Sequence, residues 1–218
     1  MKKYTASVFG STGLIGSYLT NILINDPSCE KVIMLTRKKT DIYSQKLVNK
    51  QIDFSRLSEI KESIEDSNYI YSAIGTTQSQ VNYDKKLYRS IDYDITINIA
   101  NACKEKNISS FSYVSTAGAD SNNKSFYLNL KGEIDDEVSK IGIDSLSIFR
   151  PSLLIGERKQ KRLGEKIAQV IMPVFAPLMP DNYKPIRGDL VAASMHNISM
   201  KNMAGAKIYH FNEIKLNS

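Results

Sequence analysis

Short β-rich runs and helical stretches take turns along almost the whole chain, and this alternation constrains the fold most. Residues 4–9 ("YTASVF") read as a strand, and 13–25 ("GLIGSYLTNILIN") carry apolar residues at helical spacing until Asp26-Pro27 stops them. Further strands are expected at 31–36, within 46–54, and at 68–75, 109–116 and 144–151. Helices are expected at 57–66, about 84–106 and 123–140. Strands separated by helices require crossover connections, hence a parallel sheet covered on both faces. The expectation is a doubly wound α/β sheet forming one domain over residues 1–218.

After Pro151 the pattern loosens. Residues 151–185 hold most of the six prolines and a mostly apolar run at 170–179, so this region reads as a small lid or substrate segment. A helix opening at Asp189 and a last strand at 206–211 follow. No run approaches the roughly 20 apolar residues of a membrane span. The opening "MKKYTASVFG" lacks the apolar core of a signal peptide. Cys29 and Cys103 form no pairing pattern, so a cytoplasmic, reducing setting is expected. The net charge of +6 comes from scattered lysines and arginines without an aromatic stacking surface, so no nucleic-acid partner is expected. His196 and His210 stand apart from other ligand-type side chains, and no metal site is expected.

Three glycines, Gly10, Gly13 and Gly16, sit between the first strand and the first helix. In that position Gly10 can make the tight turn, Gly13 can admit a close backbone approach, and Gly16 can let helix and strand pack. The spacing is G-x-x-G-x-x-G rather than G-x-G-x-x-G, but its placement suits a pyrophosphate at a helix N-terminus. The second strand ends in Thr36-Arg37-Lys38-Lys39 with no carboxylate, which favours the 2′-phosphate of NADP over the bare ribose of NAD. Asp53 and Phe54 are candidates for the adenine edge, and Ala73, Ile74 and Gly75 for the ribose border.

Tyr127 and Lys131 lie four apart on an expected helix and so share a face. Ser115 and Thr116 stand at a strand's C-terminal end, where parallel sheets place their ligands. A tyrosine titrates near ~10 when unperturbed, so a neighbouring ammonium is what would bring it into acid–base range. A hydroxyl beside that pair can hold a substrate oxygen as charge develops on it.

"GSTGLIG", the Tyr127/Lys131 pair and "FRPSLLIGER" together resemble an atypical short-chain dehydrogenase/reductase with a Rossmann fold. "SAIGTT" and "STAGADSNNKSFYLNLKGEID" are most similar to the Tat-interacting-protein-like oxidoreductases and their bacterial relatives. The resemblance implies that Gly10, Ser11, Thr12, Gly13, Leu14 and Ile15 cradle the pyrophosphate and that Arg37 takes the 2′-phosphate. It also implies Tyr127 as proton donor or acceptor, Lys131 on the nicotinamide ribose, and Thr116 as the catalytic hydroxyl with Ser115 the alternative. Pro151, Leu153 and Leu154 would line the nicotinamide. One departure stands out. Many relatives have an asparagine in the helix after the fourth strand, used in a proton relay, and this chain has Asp92. The expected activity is NADP-dependent hydride transfer on a carbonyl or alcohol, the substrate small and open to being apolar. A cofactor-binding sensor acting through protein partners is the alternative, and a homodimer is one option for assembly.

Overall fold

The computed structural model describes residues 3–156, 180 and 183–218. β1 (Tyr4–Phe9), β2 (Cys29–Thr36), β3 (Leu47–Gln51), β4 (Tyr69–Ser72), β5 (Ser110–Val114) and β6 (Ser145–Phe149) belong to one sheet. β7 (Leu154–Ile155) and β8 (Ile186–Arg187) pair with each other outside it, and β9 (Gly205–Tyr209) joins the sheet beside β6. The strand order is β3-β2-β1-β4-β5-β6-β9, every pairing parallel. The order reverses between β1 and β4, which is where open parallel sheets form a ligand crevice.

α1 (Leu14–Asn25) links β1 to β2, and α2 (Leu57–Ile64) links β3 to β4. α3 (Lys85–Arg89) and α4 (Ile95–Glu105) lie between β4 and β5, α5 (Phe126–Lys140) between β5 and β6, and α6 (Gly188–Lys201) between β8 and β9. α7 (Phe211–Leu216) ends the chain. Period-2 alternation divides each central strand between two cores. Phe9, Ile33, Leu35 and Ile70 face one layer with Ile60 of α2, Ile99 of α4 and Leu130 of α5. Ala6, Val8, Val32 and Tyr71 face the other, with Leu19 of α1 and Met195 of α6. Both faces are therefore covered, as the apolar strand sequences demand.

The helix expected over 84–106 is interrupted. Asp84 caps α3, its side chain accepting from the Lys86 and Leu87 amides at 2.8 and 3.1 Å. Ser90–Asp94 then form a π-helical turn before α4 resumes. Such a turn shifts the helical phase by one residue, and here Asp92 is 1% exposed. The short β7–β8 pair and α7 are additions that the sequence patterns did not signal. The apolar run at 170–179 lies outside the described residues.

At the sheet end opposite the strand C-termini, the Tyr4 hydroxyl donates to Asp26 Oδ2 at 2.5 Å, and His196 Nε2 lies 3.0 Å from the same oxygen. Burial opposes the Asp26 charge, yet hydrogen bonds from Tyr4, the Ser28 amide and His196 outweigh it and hold the carboxyl below its ordinary value. A carboxyl lowered in the folded state adds stability above its unfolded value, and that stability is lost as pH falls through the folded one. Asp26→Asn should therefore be less stable at neutral pH and lose less on acidification. Melting temperatures at neutral and acid pH check this; parallel losses in both proteins would count against it.

Candidate nicotinamide-cofactor site

β1 hands over to α1 through a turn that only glycine can build. Gly10 has φ +74°, and a Cβ there would lie 2.7 Å from the carbonyl carbon of Ala73 at the end of β4. The Gly13 amide donates to the Gly10 carbonyl at 2.9 Å, closing the turn. A Cβ on Gly16 would lie 2.1 Å from that same Gly10 oxygen, so α1 packs directly on the turn. No side chain caps α1 and its first turn carries no acidic residue, which leaves the helix's positive end uncompensated. Ser11 is buried, and its Oγ has no hydrogen-bond partner among the described residues. Thr12 is exposed. Leu14 and Ile15 bury their side chains, so only their amides are free to meet a ligand. A glycine cradle, an uncapped helix start and an orphaned buried hydroxyl suit a pyrophosphate.

The other expected cofactor residues divide. Arg37 follows directly on β2, is exposed, and its guanidinium has no ion-pair partner among the described residues. A Cβ on Gly75 would meet nothing within 4 Å, so open space lies beside the end of β4. Asp53 is occupied locally: its Oδ1 accepts from the Ser55 amide and hydroxyl at 2.9 and 2.7 Å, and its Oδ2 lies 3.5 Å from Arg56. Phe54 packs its ring 5.6 Å from that of Phe9. Ala73 and Ile74 contribute the backbone against which Gly10 closes. Pro151 is buried and its carbonyl accepts from the Ala117 amide at 2.8 Å, tying this segment to the end of β5. Leu153 is partly exposed, while Leu154 packs on the core beside α1.

Tyr127 lies in the first turn of α5, half-buried, with its ring 6.4 Å edge-on from Tyr88. One turn later Lys131 is buried, its Nζ 2.8 Å from Asp92 Oδ2. The π-helical turn delivers this partner. Asp92 Oδ1 also accepts from the Thr76 amide at 2.9 Å, and Tyr88 donates to the Thr76 carbonyl at 3.0 Å. Burial works against the Lys131 charge, but the Asp92 carboxylate, together with Tyr127 and Asp135, outweighs it, so the amine is held above its ordinary value.

Asp135 comes one turn further along the same face of α5. It accepts from the Tyr113 hydroxyl at 2.7 Å, from Ser115 Oγ at 2.8 Å and from Arg150 Nε at 2.8 Å. Burial pushes its carboxyl up despite these donors. Tyr113 and Ser115, at and just past the end of β5, both reach this one carboxylate. The Ser115 hydroxyl is thus committed to Asp135, whereas the Thr116 hydroxyl has no hydrogen bond among the described residues. The Asp135–Arg150 pair escaped the sequence reading. Its signal was the four-residue spacing that continues from Tyr127 through Lys131 to Asp135.

Residues 10–168 match the family described as NAD(P)H-binding. The chain belongs to this family. Within it the chain is an atypical short-chain dehydrogenase/reductase. The family member named Protein FMP52, mitochondrial, from Candida albicans is 36% identical over 169 residues, covering 75% of this chain and 73% of the relative. Protein HTATIP2 of Rattus norvegicus is 26% identical over 186 residues, covering 84% and 74%. Among solved structures, UDP-N-acetylglucosamine 4-epimerase from Methanobrevibacter ruminantium M1 superposes with a TM-score of 0.75 at 16% identity, covering 99% of this chain and 81% of that one. The Bordetella bronchiseptica enzyme WbmH, in complex with NAD+, gives 0.73 at 16% identity, covering 96% and 76%. These two show the NAD(P)H-binding fold. The names of the fungal relatives also overturn the cytoplasmic expectation, because several are called mitochondrial. Cys29 and Cys103 are free and buried, and buried thiols do not distinguish one compartment from another.

Proposed function

We propose that this family member is an NADP-dependent oxidoreductase acting on a carbonyl or alcohol. The observation that carries the reading is one constellation: Tyr127 and Lys131 share a face of α5, and the unpartnered Thr116 hydroxyl follows the adjacent β5. NADPH, when bound, supplies the hydride. Gly10, Gly13 and the amides that open α1 hold its pyrophosphate, with Ser11 Oγ as a further donor. Tyr127 gives the proton to the substrate oxygen, Lys131 supports the charge changes at Tyr127, and Thr116 orients that oxygen. Ser115 stands behind the site, fastening β5 to α5 through Asp135. A mitochondrial setting is the one that the fungal relatives' names support.

Arg37 is the residue assigned to the 2′-phosphate. A charge-assisted contact of this kind contributes about 1.5–3 kcal/mol, or roughly 10–100-fold in affinity. Arg37→Ala should weaken NADPH binding by at least about tenfold and leave NADH binding unchanged. Fluorescence titration with both cofactors measures this, and equal losses for the two would remove Arg37 from that role.

The direct test is NADPH oxidation against a broad panel of aldehydes and ketones. Turnover of any class sustains the reading. Tight NADPH binding with no turnover favours a cofactor-dependent scaffold instead.

A further inference from the structure

Asp92 stands where many relatives carry a neutral amide, and nothing in the proposed chemistry yet uses its charge. It is 1% exposed, on a π-helical turn, with one oxygen fixed by the Thr76 amide and the other 2.8 Å from Lys131 Nζ. A π-helical turn re-aims a side chain that a regular helix would present elsewhere. Lys131 is faced by few other charged or titratable groups. Tyr127 and Asp135 flank it on its own helix, but Asp135 is shared among Tyr113, Ser115 and Arg150. Tyr88 on α3 is committed to Thr76, and Arg89 is paired with Glu133 at 2.6 Å.

We propose that Asp92 is the counter-ion and positioning residue of Lys131, keeping the buried amine protonated and seated beneath Tyr127. The proposal rests on the reading of Tyr127 and Lys131 as an acid–base pair. A buried lysine without a partner sheds its proton because the charged form is poorly solvated, by up to several pH units when burial is complete. An asparagine at position 92 could orient Lys131 through its carbonyl but could not offset that penalty. This chain therefore depends on a charge where many relatives depend on an amide. Breaking such a pair from one side leaves the other charge uncompensated.

The deciding experiment follows the Lys131 resonance by NMR in cofactor-free protein carrying isotope-labelled lysine, the signal being identified by its loss in Lys131→Arg. In the wild type Lys131 should titrate above the ordinary lysine range. In Asp92→Asn its midpoint should fall at least about one pH unit below the wild type's, a tenfold change in the deprotonation equilibrium. Asp92→Glu should recover most of the shift. Under turnover, the alkaline limb of kcat should move the same way in Asp92→Asn. An unmoved Lys131 midpoint overturns the proposal. Should Asp92→Asn fail to fold, the double variant Asp92→Asn/Lys131→Met should fold again, because the uncompensated charge is gone, and urea unfolding checks it. A double variant that also fails to fold, while Lys131→Met alone folds, overturns the proposal. Absence of turnover in the wild type would instead remove the reductase reading, and the lysine titration would still report on the ion pair.

Discussion

Tyr127→Phe should lower kcat for carbonyl reduction by about 10²–10⁴-fold, the range that a positioned acid–base group contributes. NADPH affinity should stay within about twofold. The ring survives the substitution and keeps its edge-on packing against Tyr88, so the fold has no reason to respond. Only the hydroxyl is lost. The measurement is steady-state NADPH oxidation at saturating cofactor, with binding followed separately by fluorescence. A fall in kcat with cofactor binding intact assigns the proton to Tyr127. Full activity in the variant would move the acid elsewhere, and Thr116 is the other hydroxyl at the site without a hydrogen bond among the described residues.

Gly16→Ala should be the most destabilising single methyl at the cofactor cradle. The new Cβ would sit 2.1 Å from the Gly10 carbonyl oxygen, a backbone atom in a turn already fixed by its φ and by the Gly13 amide. Overpacking commonly costs 1–3 kcal/mol, and a clash with backbone leaves little room to relax, so about 3 kcal/mol is expected. For a chain of this size that is roughly 6–12 °C in melting temperature. NADPH binding should fall with it, because α1 must move away from the turn. Gly75→Ala is the matched control. Its Cβ would meet nothing within 4 Å, so the melting temperature should change by no more than about 2 °C. A Gly75→Ala variant with native stability but weakened NADPH binding would place the cofactor in that open space. Equal melting temperatures for Gly16→Ala and the wild type would mean that α1 can shift without cost.

The sheet was legible in the sequence because both of its faces are buried. Runs such as Val32–Leu35 are apolar throughout, and a covered parallel strand needs no other signature. The glycine turn was legible because backbone closeness demands one residue type, and Gly10 and Gly16 proved to touch Ala73 and each other. Tyr127 and Lys131 were legible because helical spacing places them together. Asp92 was visible only as an unusual residue, since its inward turn depends on the π-helical phase shift, which no 3.6-residue pattern encodes. Ser115 and Thr116 could not be separated before the structure. What separates them is Asp135, twenty residues from Ser115, and Arg150 beyond it. Asp53 was legible as a carboxylate just past the third strand, but not that its oxygens would be engaged by Ser55 and Arg56 of its own turn.

The pairing of β7 with β8 carries a consequence for how this architecture diversifies. Leu154 and Ile186 are partners in that ladder, and a Cβ on either Gly156 or Gly188 would crowd the same side chain, Leu14 of α1. The β7–β8 ladder is therefore keyed to α1 through a single side chain, next to the turn that opens the cradle. A bulkier residue at position 156 or 188 would press on Leu14 and, through it, on the start of α1. The two-stranded ladder and the glycine turn are thus free to change only in concert.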